Sequence, residues 1–161
     1  MDVLIINRQR TKKINARLLK QIVEELLAEL KITSAELGIH LVGAKEMARI
    51  NRQFLGHVGS TDVITFDHSE KRKAESGKQK AIHGELFICV DDAVAQAKEF
   101  KTDWQSEAVR YVVHGVLHLL GYDDLQPDLR REMKREENRL VRRLEKRFAL
   151  AQLSRTVKMA A

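Results

Sequence analysis

Hydrophobic positions along this chain keep two rhythms, and the change from one to the other marks out the elements. Asp2–Asn7 carries β-branched Val3, Ile5 and Ile6 and predicts a short strand. Asn15 has the chemistry of a helix N-cap, and after it Leu18, Leu19, Ile22, Val23, Leu26, Leu27 and Leu30 recur at helical spacing. Glu36–Val42 has the pattern of a strand and Ala44–Phe54 that of a short helix. Thr61–Phe66 and Glu85–Val90 are β-rich runs, each ended by aspartate. Between them, Ser69–Lys80 sets Lys71, Arg72, Lys73, Lys78 and Lys80 around Gly77, which predicts an exposed, mobile loop.

Thr102 followed by Gln105 has the form of a capping box and predicts the start of a helix that is nearly all apolar from Ala108 to Leu120. Gly121 stands where a left-handed C-terminal cap belongs. Pro127 suits the first turn of a last helix, with Leu129, Met133, Leu140, Leu144 and Phe148 along one side. Strands and helices are interspersed without strict strand–helix–strand alternation. The expected fold class is therefore α+β, a small mixed β-sheet packed with about five helices. There are no repeats and no internal boundary. One domain is expected over residues 1–150, with a flexible C-terminal tail over 151–161.

Composition sharpens the picture. Hydrophobic residues make up 43% and charged residues 32% of the 161, which is globular rather than disordered chemistry. A lone cysteine, Cys89, has no partner for an internal disulfide. The first residues do not resemble a secretory signal. No apolar run approaches the roughly 20 residues of a membrane helix. A cytoplasmic protein without a membrane partner is expected. The net charge of +6 is concentrated: from Leu125 onward eleven Lys/Arg face five acids, which accounts for the whole excess. Such a stripe attracts polyanions such as nucleic acid. It equally suits a solvated helix face with Glu132 and Glu136 paired one turn on.

The stretch that carries chemistry is His114-Gly-Val-Leu-His118-Leu-Leu-Gly-Tyr-Asp-Asp124. Histidines four residues apart share one helix face, so both can offer a ring nitrogen to one ion at roughly 2.0–2.1 Å for zinc. A reversal at Gly121 brings a carboxylate back as third ligand, with Asp123 and Asp124 as local competitors. Three protein ligands leave a coordination position open for water. Burying two unpaired imidazoles in so apolar a segment would be costly, which favours a metal over core packing. Gly115 occupies the position at which HExxH proteases carry their glutamate base, so ordinary peptidase chemistry is disfavoured. His40, His57, His68 and His83 lack ligand spacing and are expected as surface or core residues, with His57 close enough to Leu55 to touch substrate.

With these residues in view, the chain resembles the YbeY family of bacterial rRNA maturation factors, single-domain metal-dependent endoribonucleases. The family pattern H-G-x-L-H-L-x-G-Y-D-H is matched at His114, Gly115, Leu117, His118, Leu119, Gly121, Tyr122 and Asp123. Thr61-Asp62-Val63-Ile64-Thr65-Phe66 resembles the family strand T-D-V-L-S-F, and Asn51 and Phe54 stand where N-x-x-Y belongs. His83-Gly84-Glu85-Leu86 resembles the G-D-I strand, and Met133 and Glu137 fit the closing helix. The resemblance implies a zincin-like metal-dependent hydrolase architecture holding one Zn²⁺ at His114, His118 and Asp124, which takes the place of the family's third histidine. It further implies hydrolysis of RNA phosphodiester bonds in rRNA maturation and ribosome quality control, with rRNA and the small ribosomal subunit as partners.

Two departures alter the expected chemistry. Aspartate in place of the third histidine leaves a Zn²⁺ site with net charge about +1 instead of about +2, so a bound water is less acidic. The family's arginine after the aromatic residue falls on Leu55, and Arg52, or Arg49, about one turn earlier, is the candidate replacement. No general base stands out. Arg130, Arg131, Lys134 and Arg135, with Lys71, Arg72 and Lys73 of the loop, are expected to hold the RNA backbone by charge. Aromatic residues for base stacking are scarce at 5%. The same departures admit a second reading, a ribosome-assembly factor whose metal supports the fold with little or no turnover.

Overall fold

Alternation of apolar and polar positions builds four strands into one mixed sheet in the order β1–β2–β4–β3. The computed structural model describes residues 1–69 and 80–154. β1 (Asp2–Asn7) is followed by α1 (Ala16–Glu29), which returns the chain to β2 (Ile32–Val42), parallel to β1 with Val3 opposite Leu37. α2 (Ala44–Ile50) runs into a π-helical turn over Asn51–Leu55. β3 (Val63–Asp67) then lies antiparallel to β4 (Lys80–Cys89), and β4 is parallel to β2. α3 (Val90–Phe100), α4 (Trp104–Leu119) and α5 (Pro127–Arg147) complete the domain. No helix among the described residues is long and apolar enough to cross a membrane.

Leu37, Ile39 and Leu41 of β2 and Ile82, Leu86 and Ile88 of β4 are buried on one face of the sheet. They pack with α1, α4 and α5 in the main core. α4 is its central rod, burying Val109, Val112, Val113, Val116 and Leu117. On the opposite face α2 covers only a small cluster, Val42, Met47, Ile50, Ile64 and Cys89. Burial raises the Cys89 thiol pKa to about 12, and the residue is packed as a small hydrophobe.

Several elements differ from expectation. α3 was not foreseen: Asp91 and Asp92, taken as the end of a strand, are the acidic first turn of a helix. β4 begins at Lys80, so the loop expected over Ser69–Lys80 stops short of that residue, and 70–79 lie outside the described residues. α4 is capped by Asp103, whose carboxylate accepts from the Ser106 amide, while the Thr102 hydroxyl donates to Glu107. An ionised carboxylate is the stronger acceptor for amides at a helix N-terminus. The tail expected from 151 starts with a packed segment. Leu150–Ser154 forms a 3₁₀ turn, Leu153 is buried, and its carbonyl accepts from the Asn15 amide. Residues 155–161 lie outside the described residues.

Gly84 fixes the distance between α4 and the sheet. A Cβ there would lie 2.5 Å from the Phe66 carbonyl oxygen and 2.7 Å from Leu119 Cδ2. The first clash is with backbone of the paired strand, which cannot rotate away. Gly84→Ala is expected to lower stability by about 3 kcal/mol, read from the midpoint of denaturant unfolding with an unchanged slope.

Candidate metal centre

α4 delivers two histidines to the edge of the core, and the turn after it supplies a carboxylate. Gly121, at φ +101°, lets the helix end in a Schellman motif. The Gly121 amide donates to the His118 carbonyl and the Tyr122 amide to that of Leu117. The reversal carries Asp124 back over the last turn of the helix. His114 Nε2 and His118 Nε2 are 3.1 Å apart, and each lies 3.7 Å from Asp124 Oδ2. Donors around a tetrahedral zinc, at roughly 2.0–2.1 Å from the ion, are about 3.3 Å apart. The three donors bracket that spacing, and they form the group among the described residues that can hold a metal. Asp123 turns elsewhere and accepts the Leu125 amide at 2.9 Å.

The second ring nitrogens determine what the first can do. His118 Nδ1 lies 3.1 Å from the Tyr122 carbonyl oxygen, and His114 Nδ1 lies 2.8 Å from Glu137 Oε1. Both partners are acceptors, so each Nδ1 carries the proton and donates it. Each Nε2 then presents a lone pair, and two lone pairs 3.1 Å apart repel unless a cation or proton lies between them. This is the arrangement a metal requires. Burial, the largest single influence, lowers the His114 pKa, but the hydrogen bond to Glu137 and the charges of Glu137, Asp124 and Asp62 together outweigh it and the pKa is raised.

Glu137 is 3% exposed on α5 and also accepts from Arg110 at 2.7 Å and Lys134 at 3.1 Å. Burial pushes its carboxyl pKa up. The donors from His114, Arg110 and Lys134 prevail and hold it at about 2, so it is ionised at any working pH. The sequence had placed Glu137 in a family motif without a role. Its signal was an acid on the apolar side of α5, four residues from buried Met133. Arg110 gives the matching signal, one charge in an otherwise apolar run, one turn before His114.

Two cavities meet at the site, of about 490 and 500 Å³. Asp62, Val63, His114 and Asp124 belong to the walls of both. The first is bounded by α3, α4 and α5 through Phe100, Tyr111, Arg110, Arg130 and Lys134, among others. The other follows the edge strand β3 past Leu55, Ile64, Thr65 and Asp67. Of the basic residues expected to meet RNA, Arg130 and Lys134 are at the site. Arg131 and Arg135 line neither cavity, and Arg131 pairs with Asp128. Lys71, Arg72 and Lys73 lie outside the described residues. Further along α5 the stripe is partly neutralised, since Arg143 pairs with Glu29 at 2.8 Å and Arg147 with Glu25 at 2.5 Å.

The expected arginine replacements are not brought to the site. Arg49 is 71% exposed and paired with Glu46, and neither it nor Arg52 lines a cavity. The π turn instead leaves Leu55 on the cavity wall, steadied by buried Asn51, whose Nδ2 donates to the Gly59 carbonyl. Beside Arg110, which is bonded to Glu137, Arg130 brings a second guanidinium to the site, its Nε donating to the Asp124 carbonyl oxygen at 3.1 Å. Gly115 faces the sheet: a Cβ there would meet Leu86 Cδ2 at 2.7 Å, so no side chain at that position reaches the site. The other histidines lie apart. His40 and His68 contact the two oxygens of Glu85 at 2.8 and 2.9 Å, and their hydrogen bonds lower its pKa. His83 pairs with Glu36 at 3.3 Å, and exposed His57 lines neither cavity.

Fold and site together define an α+β domain that presents the donor set of a transition-metal centre at the junction of two clefts. Residues 4–145 match the family described as Endoribonuclease YbeY. The Endoribonuclease YbeY of Salinibacter ruber is 34% identical over 118 residues, 73% of this chain and 75% of that protein. That of Chlorobium phaeovibrioides is 35% identical over 130 residues, 81% and 82% of the two chains. A solution structure from Thermotoga maritima shares the fold with a TM-score of 0.68 and 23% identity, covering 99% of this chain and 100% of that one. The chain belongs to the YbeY endoribonuclease family.

Proposed function

We propose that this chain is a metal-dependent endoribonuclease of rRNA maturation and ribosome quality control that hydrolyses RNA phosphodiester bonds at a His₂Asp zinc site. The observation that carries this reading is the pair of Nε2 atoms of His114 and His118, 3.1 Å apart and each 3.7 Å from Asp124 Oδ2. His114, His118 and Asp124 would hold a divalent ion, which would supply Lewis acidity toward a phosphodiester oxygen. The side chains do the rest. Arg130 offers its outer guanidinium nitrogens, and Lys134 its charge, to the flanking phosphates. Asp62, common to both cavities, is the carboxylate assigned to accept the proton of the attacking group. Its fixed position follows from the Val63 amide, which donates to Oδ1 at 2.8 Å. The substrate on this reading is rRNA, met on the small ribosomal subunit in the cytoplasm.

Metal content and cleavage of a single-stranded RNA, measured together on wild type and Asp124→His, test it. Wild type is expected to carry about one divalent transition ion per chain and to cleave. Asp124→His is expected to keep the ion and cleave faster, since an imidazole raises the net charge at the ion from about +1 to about +2. A chain that is stoichiometrically loaded with zinc and inert toward RNA would overturn the hydrolytic reading.

A further inference from the structure

The cavity between α3, α4 and α5 has features that holding a metal does not require. Phe100, at the last position of α3, is 63% exposed and on the cavity wall. A large aromatic ring left in water beside a site is a stacking surface in waiting. Tyr111, also on the wall, is 4% exposed, and its buried hydroxyl has no hydrogen-bond partner among the described residues. Leaving such a group unsatisfied carries a desolvation penalty, while a phenylalanine would fill the same space without it. Burial raises the Tyr111 pKa, so the hydroxyl stays protonated and can donate. Gln96 and Glu107 add amide and carboxylate edges to the same wall. Arg130, His114 and Asp124 of the metal centre line it as well.

A π face, polar edges and a cation beside the site are the three things a nucleotide needs for its base, its base edge and its phosphate. At about 490 Å³ the cavity is within the usual range for small-molecule pockets. We propose that it receives the base of the nucleotide flanking the scissile phosphate, with Phe100 against the face of the base and the Tyr111 hydroxyl bonded to its edge. The strand then continues through the second cavity, along β3. This rests on the RNA-directed reading of the metal centre and adds a base-binding subsite to it. It also supplies the stacking that overall composition had suggested was scarce.

The test measures equilibrium binding of adenosine and guanosine 5′-monophosphates, with ribose 5-phosphate as the probe that lacks a base. Full-length wild type, Phe100→Ala, Phe100→Trp and Tyr111→Phe are compared, and metal content is recorded for each. Wild type is expected to bind at least one nucleotide roughly tenfold or more tighter than ribose 5-phosphate, because stacking of one base contributes on that scale. Phe100→Ala should remove most of that difference, Phe100→Trp should keep it, and Tyr111→Phe should reduce it severalfold, all with metal content and ribose 5-phosphate binding unchanged. Equal binding of the nucleotides and ribose 5-phosphate, or nucleotide binding indifferent to Phe100→Ala, would overturn the proposal. The two readings fail separately. A chain that binds nucleotides through Phe100 yet leaves RNA intact loses the hydrolytic reading and keeps the pocket. One that cleaves RNA with base-indifferent binding loses the pocket and keeps hydrolysis.

Discussion

Replacing His118 with alanine is expected to abolish stoichiometric metal uptake and to lower RNA cleavage by about a thousandfold or more. One of three donors is lost, and the remaining Nε2 of His114 and carboxylate of Asp124, 3.7 Å apart, make a two-point site. Lewis-acid stabilisation of a phosphoryl transition state is worth several kcal/mol, and each 1.36 kcal/mol is tenfold in rate. The fold should survive. The His118 side chain is 28% exposed at the rim of α4, whereas the core is made by Val109, Val112, Val113, Val116 and Leu117 without it. In chelator, wild type and His118→Ala should therefore unfold within about 1 kcal/mol of each other. Adding zinc should then raise the melting temperature of wild type alone, as a ligand bound to the native state must. Metal analysis, RNA cleavage and thermal melts on the two proteins decide the matter. A metal that serves only the fold gives the opposite result, in which chelated wild type is unfolded and the zinc-loaded chain never cleaves.

Periodicity made part of this molecule legible and composition concealed another part. α1 was plain because leucine, isoleucine and valine recur over four turns and Asn15 caps it with its own side chain. The His114–His118 face was plain for a related reason. Four-residue spacing fixes two side chains on one face whatever surrounds the helix, and Gly121 announces the reversal that follows. α3 was hidden because its buried positions, Val90, Ala93 and Ala97, are mostly small, and its first residue closes a β-rich run. Partnership across the fold was hidden altogether. Glu137 is 23 residues from His114 and 27 from Arg110, so only the packing of α4 against α5 joins it to them, while Lys134 is a local partner three residues away on α5. The fate of Leu55 was similarly out of reach, since a π turn moves a side chain around the helix relative to α-helical spacing.

Glu137 carries the second large expectation, because one buried carboxylate both orients a donor and neutralises two cations. Glu137→Gln preserves volume and leaves a carbonyl to accept from His114 Nδ1, but removes the charge that makes the imidazole a better donor to metal. Zinc affinity in competition with a chelator should fall roughly 10- to 100-fold, the usual range for loss of such a partner. Glu137→Ala removes the acceptor entirely. It leaves His114 Nδ1 without its 2.8 Å partner and strips the compensating charge from Arg110, which is 28% exposed, and from Lys134, which is 61% exposed. Both cations keep access to water, so the loss should fall below the full cost of breaking a buried pair, at about 2–3 kcal/mol in denaturant unfolding without metal. The two substitutions separate orientation from packing. If Glu137 served packing alone, Glu137→Gln would bind zinc like wild type and only Glu137→Ala would show a defect.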